Sequence, residues 1–147
     1  LHYFPEATTE YWLRNSEFVD YYSYLCHVVD SLTEAGFRVI LKEHPASYLK
    51  RDMRKLSAIA NQSSVYLIDP FVNTKCVLEK VDSVIVWTGT TGVESIVHCI
   101  PTYFIEPNFY SDGVYMNWTD LLNGKKAVRQ NAFDVVKNVL ETSEIIK

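Results

Sequence analysis

One stretch of this chain joins an apolar run, a turn of small residues and the start of a helix: Val84-Ile85-Val86-Trp87-Thr88-Gly89-Thr90-Thr91-Gly92-Val93-Glu94-Ser95. The apolar run 84–87 predicts a strand, and the segment that begins at Thr91 predicts a helix. The first turn of such a helix presents backbone N–H groups without intrahelical acceptors, together with the positive end of the helix dipole. The pattern therefore indicates an anion site, and a phosphate is the natural ligand.

Small and hydroxylated side chains in the turn support this interpretation. Gly89 and Gly92 permit positive φ and a close approach of the backbone to a ligand. The hydroxyls of Thr90 and Thr91 add hydrogen-bond donors at the same end of the helix, and Thr88 precedes them. We expect these five residues to form one ligand-binding turn.

Glu94 has two interpretations that the sequence leaves open. Thr91 and Glu94 have the spacing of a capping box, in which a Thr at the N-cap and a Glu three residues later each satisfy a backbone N–H group of the other. In the second interpretation Glu94 contacts the ligand. Thr91 can cap the helix and still bind, because one hydroxyl both donates and accepts.

Length and composition exclude several classes of protein. The 147 residues suffice for one domain with a full core, and 48% hydrophobic with 22% charged residues is not the composition of a disordered chain. No apolar run approaches the roughly 20 residues that span a bilayer. The net charge of −4 argues against a nucleic-acid-binding or anionic-membrane-binding surface over the whole domain.

The first residues and the cysteines bear on the compartment. Leu1-His2-Tyr3-Phe4-Pro5 lacks the basic start and the long apolar core of a secretory signal. Because the chain starts without Met, we expect it to be a piece of a longer one. Cys26, Cys76 and Cys99 have neither a disulfide-framework nor a zinc-site spacing, so we expect a protein of the reduced cytoplasmic compartment. Cys26 and Cys99 lie in apolar helical stretches and are predicted to be buried.

Short apolar segments alternate with segments of helical periodicity along the chain. Strands are predicted at 1–4, 37–42, 65–68, 83–87 and 102–105, and helices at 16–35, 49–60, 73–80, 91–98 and 132–140. Gly36 marks the end of the first helix. This order predicts an α/β fold, namely a Rossmann-like three-layer domain over residues 1–147 whose mainly parallel sheet is covered by helices on both faces.

A second polar motif, Lys42-Glu43-His44-Pro45, follows the second predicted strand. Pro45 disfavours helix for the residue before it and so holds His44 extended. The imidazole can donate to a phosphate oxygen and carry charge near neutral pH, although a histidine at a strand end is also a common structural hydrogen-bonder. Ligands bind beyond the carboxyl ends of parallel strands, so we expect this motif, the turn and the loop 5–9 to face one crevice.

Three ordered segments carry a resemblance to a known family. They are the opening 1–9, His44-Pro45, and the segment 89–95 with Pro101 closing its helix. Together they resemble the C-terminal nucleotide-sugar domain of bacterial capsular and surface-polysaccharide glycosyltransferases of the GT-B fold, notably capsule-export Kdo transferases and His-Pro-motif sialyltransferases. The resemblance covers about residues 1 to 110. The chain departs from the family at Cys99 and Ile100, where relatives commonly have a Gly before the Pro.

The resemblance implies a donor site and its chemistry. It implies that Lys42, His44, Pro45 and the turn residues from Thr88 to Gly92 bind a CMP- or UDP-sugar donor, and that His44, Thr90 and Thr91 contact its phosphate. Glu94 would then bond the ribose or support the loop. The helix N-terminus, two hydroxyls and a protonated His44 can stabilise charge on the leaving phosphate without a metal ion. No cofactor and no metal ion are expected.

The resemblance also implies partners and a second domain. Relatives take their catalytic base and their saccharide or lipid-linked acceptor from an N-terminal domain, which we expect to lie outside this chain. The candidate catalytic residues here are His44 and Glu6, the one carboxylate of the first loop. The isolated domain is expected to be inactive. We expect no nucleic-acid partner, and for the full-length protein a peripheral position at the inner face of the membrane.

Two other function classes fit the same architecture. A nucleotide-sugar epimerase would act on one substrate without an acceptor, and a non-catalytic nucleotide-binding domain would bind without turnover. An NAD-binding unit is disfavoured because GxGxxG is absent after the first predicted strand. A P-loop NTPase is excluded because the chain lacks GxxxxGK[ST].

Overall fold

The computed structural model describes residues 21–47, 53–87, 89–127 and 131–144. The chain divides into two compact units, Leu1–Val72 and Asn73–Lys147. Each unit mixes helices with two short parallel strands, which confirms the α/β class. Instead of one predicted five-stranded sheet, the described residues form two sheets of two strands each. The predicted strand 1–4 lies outside the described residues.

In the N-terminal unit a helix precedes a strand-helix-strand segment. Its elements are α1 (Tyr21–Glu34), β1 (Val39–Lys42), a 3-10 turn (Pro45–Ser47), α2 (Met53–Ala60) and β2 (Val65–Ile68). β1 and β2 pair in parallel, with Val39 opposite Val65 and Lys42 opposite Ile68. Since parallel neighbours need a crossover between them, the 3-10 turn and α2 fill that connection.

The buried face of α1 supplies much of the core of this unit. Its buried side chains recur every three or four residues: Tyr21, Tyr24, Leu25, Val28, Val29 and Leu32. Gly36 then ends the helix as predicted, with φ of +87°. The N–H groups of Gly36 and Phe37 donate to the carbonyls of Thr33 and Leu32, at 3.0 Å each. This is the Schellman motif, in which glycine takes the left-handed position.

The C-terminal unit contains a second strand-helix-strand segment. Its elements are α3 (Thr74–Leu78), β3 (Val84–Val86), α4 (Thr90–Val97), β4 (Thr102–Phe104), α5 (Trp118–Leu122) and α6 (Ala132–Glu144). β3 and β4 pair in parallel, with Val84 opposite Thr102 and Val86 opposite Phe104. α4 is the crossover, so the predicted order of strand, turn and helix is confirmed.

The core of this unit lies between the strand pair, α4, α6 and the segment that follows β4. Six buried side chains form one cluster: Val86, Ile96, Phe104, Tyr110, Val114 and Val135. Phe104 and Tyr110 are fully buried, and their rings meet edge to face with centroids 5.9 Å apart. The segment after β4 thus contributes to the core although it forms no regular element between Ile105 and Asn117.

Cys99 takes a backbone position that normally belongs to glycine. It lies just after α4 with φ of +59°. Its N–H donates to the carbonyl of Ile96, and the N–H of Ile100 donates to that of Ser95, at 2.9 Å each. Cys99 is exposed, so the prediction that it is buried was wrong. The apolar neighbours suggested a continuing helix, whereas the helix ends there and turns the side chain outward.

None of the helices in the described ranges is both long and apolar enough to cross a membrane.

Candidate functional site

The turn before α4 is the feature that the sequence singled out, and its geometry is that of an open helix N-terminus. Gly89 is the N-cap, with φ of 104° and ψ of 162° and no side-chain cap. Thr90 and Thr91 begin the helix, and within the described residues neither their backbone N–H groups nor their hydroxyls make a hydrogen bond. These donors are therefore available to an anion at the positive end of the helix dipole.

The capping-box interpretation of Thr91 and Glu94 was wrong. Because α4 starts after Gly89, Thr91 is the second helical residue, and Glu94 lies two residues beyond the position that a capping box requires. The Glu94 side chain is exposed and makes no hydrogen bond or ion pair with the described part of the chain. Adjacent Thr90 and Thr91 each fit a helix start, so spacing alone could not set the register.

The two glycines of the turn have different physical roles. Gly89 adopts the positive φ that was predicted for it. Gly92 lies inside α4, and a β-carbon there would overlap the hydroxyl of Tyr110 and lie 3.0 Å from Cγ2 of Val86. Its missing side chain thus makes room for Tyr110. The close approach that was expected for a ligand is filled, at Gly92, by the protein's own tyrosine.

The segment 108–112 packs along the turn and holds it through backbone carbonyls. The Tyr110 hydroxyl donates to the carbonyl of Gly89 at 2.8 Å. The Asn108 side-chain amide donates to the carbonyl of Trp87 at 3.2 Å. The Asn138 side-chain amide on α6 donates to two carbonyls of the segment 108–112, those of Tyr110 at 3.3 Å and Asp112 at 2.9 Å. We call Asn108, Tyr110 and Asn138 the turn clamp.

A buried hydroxyl pair joins α4 to β4. Ser95 and Thr102 are fully buried, and their hydroxyl oxygens are 2.7 Å apart. Ser95 can also donate to the carbonyl of Gly92, and Thr102 to that of Ile100, at 2.9 Å each. Since each hydroxyl has one proton, one donates to the other and the second donates to a carbonyl. The pair fixes α4 against β4.

The second motif lies in the N-terminal unit, just after β1. His44 is exposed and follows the end of β1 by two residues, and Pro45 begins the 3-10 turn. Nδ1 of His44 accepts the backbone N–H of Ala46 at 3.1 Å. In the neutral ring this bond places the proton on Nε2. The neutral imidazole of His44 therefore carries its hydrogen-bond donor at Nε2.

Lys42 is engaged with the backbone of its own unit. Its ammonium group donates to the carbonyl of Pro70 at 2.8 Å and approaches that of Glu43 at 3.5 Å. These bonds join the end of β1 to the loop after β2, where the Asp69 carboxylate also accepts the N–H of Phe71 at 2.7 Å. Lys42 thus stabilises the fold of its own unit, with or without a ligand.

Two of the candidate residues, Glu6 and Thr88, lie outside the described residues. The predictions that rest on them, Glu6 as an acceptor-side group and Thr88 as part of the turn, stay predictions. Among the described residues no group of three or more His, Cys, Asp or Glu side chains is placed to hold a metal ion.

Sequence reasoning missed the turn clamp. Tyr110 is fully buried and contacts the turn, yet it lies in the aromatic stretch that showed neither strand nor helix periodicity. A signal was present in Asn108, since Asn favours local backbone bonds, and its Oδ1 does accept the N–H of Tyr110 at 3.2 Å. That signal predicts a turn and not its contact with Gly89.

No protein-family model, no curated protein and no solved structure matches this chain.

Proposed function

We propose that this chain is the donor-binding part of a metal-independent GT-B glycosyltransferase. It would bind a CMP- or UDP-sugar for the synthesis of surface or capsular polysaccharide. The observation that carries the proposal is the start of α4. There Gly89 at the N-cap leaves two backbone N–H groups and two threonine hydroxyls without a protein acceptor or donor among the described residues.

The chemistry of glycosyl transfer matches these groups. As the bond between sugar and phosphate loosens, negative charge grows on the leaving phosphate oxygens. Preorganised donors at a helix N-terminus stabilise such charge more than solvent does, because they need not reorient. Thr90 and Thr91 supply such donors at the start of α4. None of these groups requires a metal ion to act.

The proposal includes the finer architecture. Strand-helix-strand segments with parallel pairing occur in both units, around α2 and around α4. They support a Rossmann-like three-layer domain as one half of a GT-B enzyme. The catalytic base and the binding site for a saccharide or lipid-linked acceptor then belong to another domain. We propose a cytoplasmic protein at the inner membrane face.

Titration calorimetry on the chain tests donor binding. We expect CMP, UMP or UDP to bind with a dissociation constant below about 1 mM, and Thr90→Val or Thr91→Val to weaken that binding. Thr74→Val is the matched control, because Thr74 is also the first residue of a helix, α3. Equal affinity in all variants, or no binding by the wild type, would contradict the proposal. Transfer by this chain alone is not expected.

A further inference from the structure

The conformation of Gly89 needs an external restraint. With φ of 104° and ψ of 162°, Gly89 lies in a region that is essentially restricted to glycine, and a glycine with no restraint populates many other conformations. Glycine has no side chain that could hold the turn. Groups that bind its backbone can supply such a restraint.

Tyr110 provides that restraint. Its hydroxyl donates to the Gly89 carbonyl at 2.8 Å, and the same carbonyl accepts the N–H of Gly92 at 3.2 Å. The Tyr110 ring is fully buried against Phe104, and the missing side chain of Gly92 leaves space for its hydroxyl. A buried ring with a fixed hydroxyl is a rigid support for one carbonyl.

Peptide geometry converts this bond into the direction of a donor. The carbonyl of Gly89 and the N–H of Thr90 belong to one planar trans peptide unit, so they point in opposite directions. A carbonyl held inward by Tyr110 therefore turns the Thr90 N–H away from the core. This is the N–H group that we propose binds the donor phosphate.

We infer that Tyr110 is a positioning residue for the phosphate-binding turn, acting through the Gly89–Thr90 peptide unit. The effect on ligand affinity rests on the proposed function, whereas the effect on the turn does not. The Asn108 side-chain amide donates to the carbonyl of Trp87, before the turn. The Asn138 side-chain amide donates to the carbonyls of Tyr110 and Asp112, in the segment that holds the turn. Among the described contacts of the turn clamp, only the hydrogen bond from the Tyr110 hydroxyl reaches the Gly89–Thr90 peptide unit.

The test compares Tyr110→Phe with Tyr103→Phe. Tyr103 is a matched control, because it too is a buried tyrosine whose hydroxyl donates to a backbone carbonyl, that of Lys125 at 2.9 Å. Amide hydrogen exchange by NMR reports on the turn without a ligand. We expect the Gly92 amide, which donates to Gly89, to exchange about 3- to 10-fold faster in Tyr110→Phe, the loss typical of one hydrogen bond, and to be unchanged in Tyr103→Phe.

Affinity gives the second readout, at a temperature where both variants are folded. Tyr110→Phe should weaken CMP or UMP binding by about 3- to 10-fold, and Tyr103→Phe by less than about 2-fold. Equal Gly92 exchange in the two variants would overturn the inference. So would faster exchange with unaltered affinity, since a merely structural bond gives that result. If the wild type binds no nucleotide, the proposed function fails, and the exchange data still decide whether Tyr110 holds the turn.

Discussion

The hydroxyl of Tyr110 occupies the space that a β-carbon at Gly92 would fill, and from there it donates to the carbonyl of Gly89 at 2.8 Å. One residue of an irregular segment thus sets both the glycine requirement inside α4 and the conformation of the turn before it. The glycines that suggested a ligand site are in part a requirement of the protein's own packing.

Gly92→Ala should reveal this packing directly. In a helix interior Ala is usually more stable than Gly by about 1 kcal/mol. Here the new methyl group would overlap the Tyr110 hydroxyl, and overpacking of this kind costs about 1–3 kcal/mol. We therefore expect a net loss of unfolding free energy in urea denaturation. In a Tyr110→Phe background the loss should shrink or change sign, and an equal loss in both backgrounds would show that the hydroxyl is not the obstacle.

Cys99→Gly should stabilise the chain. Cys99 holds a φ of +59° at the end of α4, and its side chain is exposed, so glycine relieves strain without loss of burial. We expect a gain of about 0.5–1 kcal/mol, measured as a rise in melting temperature. The control is Cys76→Gly, because Cys76 is an exposed cysteine in the interior of α3. That variant should lose stability, and a loss in both variants would rule out relief of strain at Cys99.

The buried pair Ser95 and Thr102 is suited to a double-mutant cycle. Ser95→Ala and Thr102→Val each remove one hydroxyl from a contact of 2.7 Å, and each partner keeps a backbone carbonyl as an acceptor. We expect each single variant to lose about 0.5–1.5 kcal/mol. The double variant should lose less than the sum, with a coupling of at least about 0.5 kcal/mol. Additive losses would mean that the two hydroxyls do not interact in solution.

Asp120 gives a pH dependence with a definite sign. A hydrogen bond from Lys125, at 2.7 Å, is the main cause that lowers the pKa of Asp120 below its ordinary value. The backbone N–H of Asn117 also donates to this carboxylate, at 3.1 Å. Because the folded state favours the charged form of Asp120, this carboxylate stabilises the fold at pH values above its pKa in the unfolded chain. The stabilisation disappears as pH falls through its pKa in the folded protein.

The comparison of wild type with Asp120→Asn measures that effect. Near neutral pH the variant should be less stable in urea unfolding. Between the ordinary carboxyl range and the lowered pKa of Asp120, the difference should shrink toward zero. A difference that stays constant into acid would contradict the assignment. Lys125→Met should return the pKa of Asp120 toward its ordinary value in an NMR titration.

Glu94 now has one remaining candidate role. Since it does not cap α4, Glu94→Gln should leave the melting temperature unchanged. If Glu94 accepts a hydrogen bond from the ribose as a charged group, the variant should weaken binding of CMP or UMP by about 10-fold or more. Calorimetry would remove Glu94 from the site if affinity is unaltered. Glu141→Gln on α6 is a control for the loss of one exposed carboxylate.

Local signals in the sequence predicted the elements better than their contacts. The run 65–68 became β2, and the turn between β3 and α4 was predicted because an apolar run, glycines and threonines follow each other there. These features act within a few residues. The start of α4 was displaced by one residue, because Thr90 and Thr91 are equally good at a helix start and only Gly89 adopts the N-cap backbone.

Contacts between distant segments could not be predicted in the same way. The sequence pattern around Gly92 is the same whether the glycine makes room for a phosphate or for a tyrosine hydroxyl. Only the fold brings Tyr110 to it. His44 shows a related limit. Its motif predicted a donor to phosphate. In the neutral ring, the proton lies on Nε2 because Nδ1 accepts the N–H of Ala46, and that hydrogen bond depends on the 3-10 turn.

The most direct test of the central claim is the NMR response of the Thr90 and Thr91 amides to nucleotide. In a ¹⁵N-labelled chain, these two signals should shift in a saturable way as CMP or UMP is added, because their N–H groups have no acceptor within the described protein. The amide of Thr74 at the start of α3 should not shift. If Thr90 and Thr91 stay unchanged at millimolar nucleotide, the turn before α4 is not a phosphate site and the proposed function is wrong.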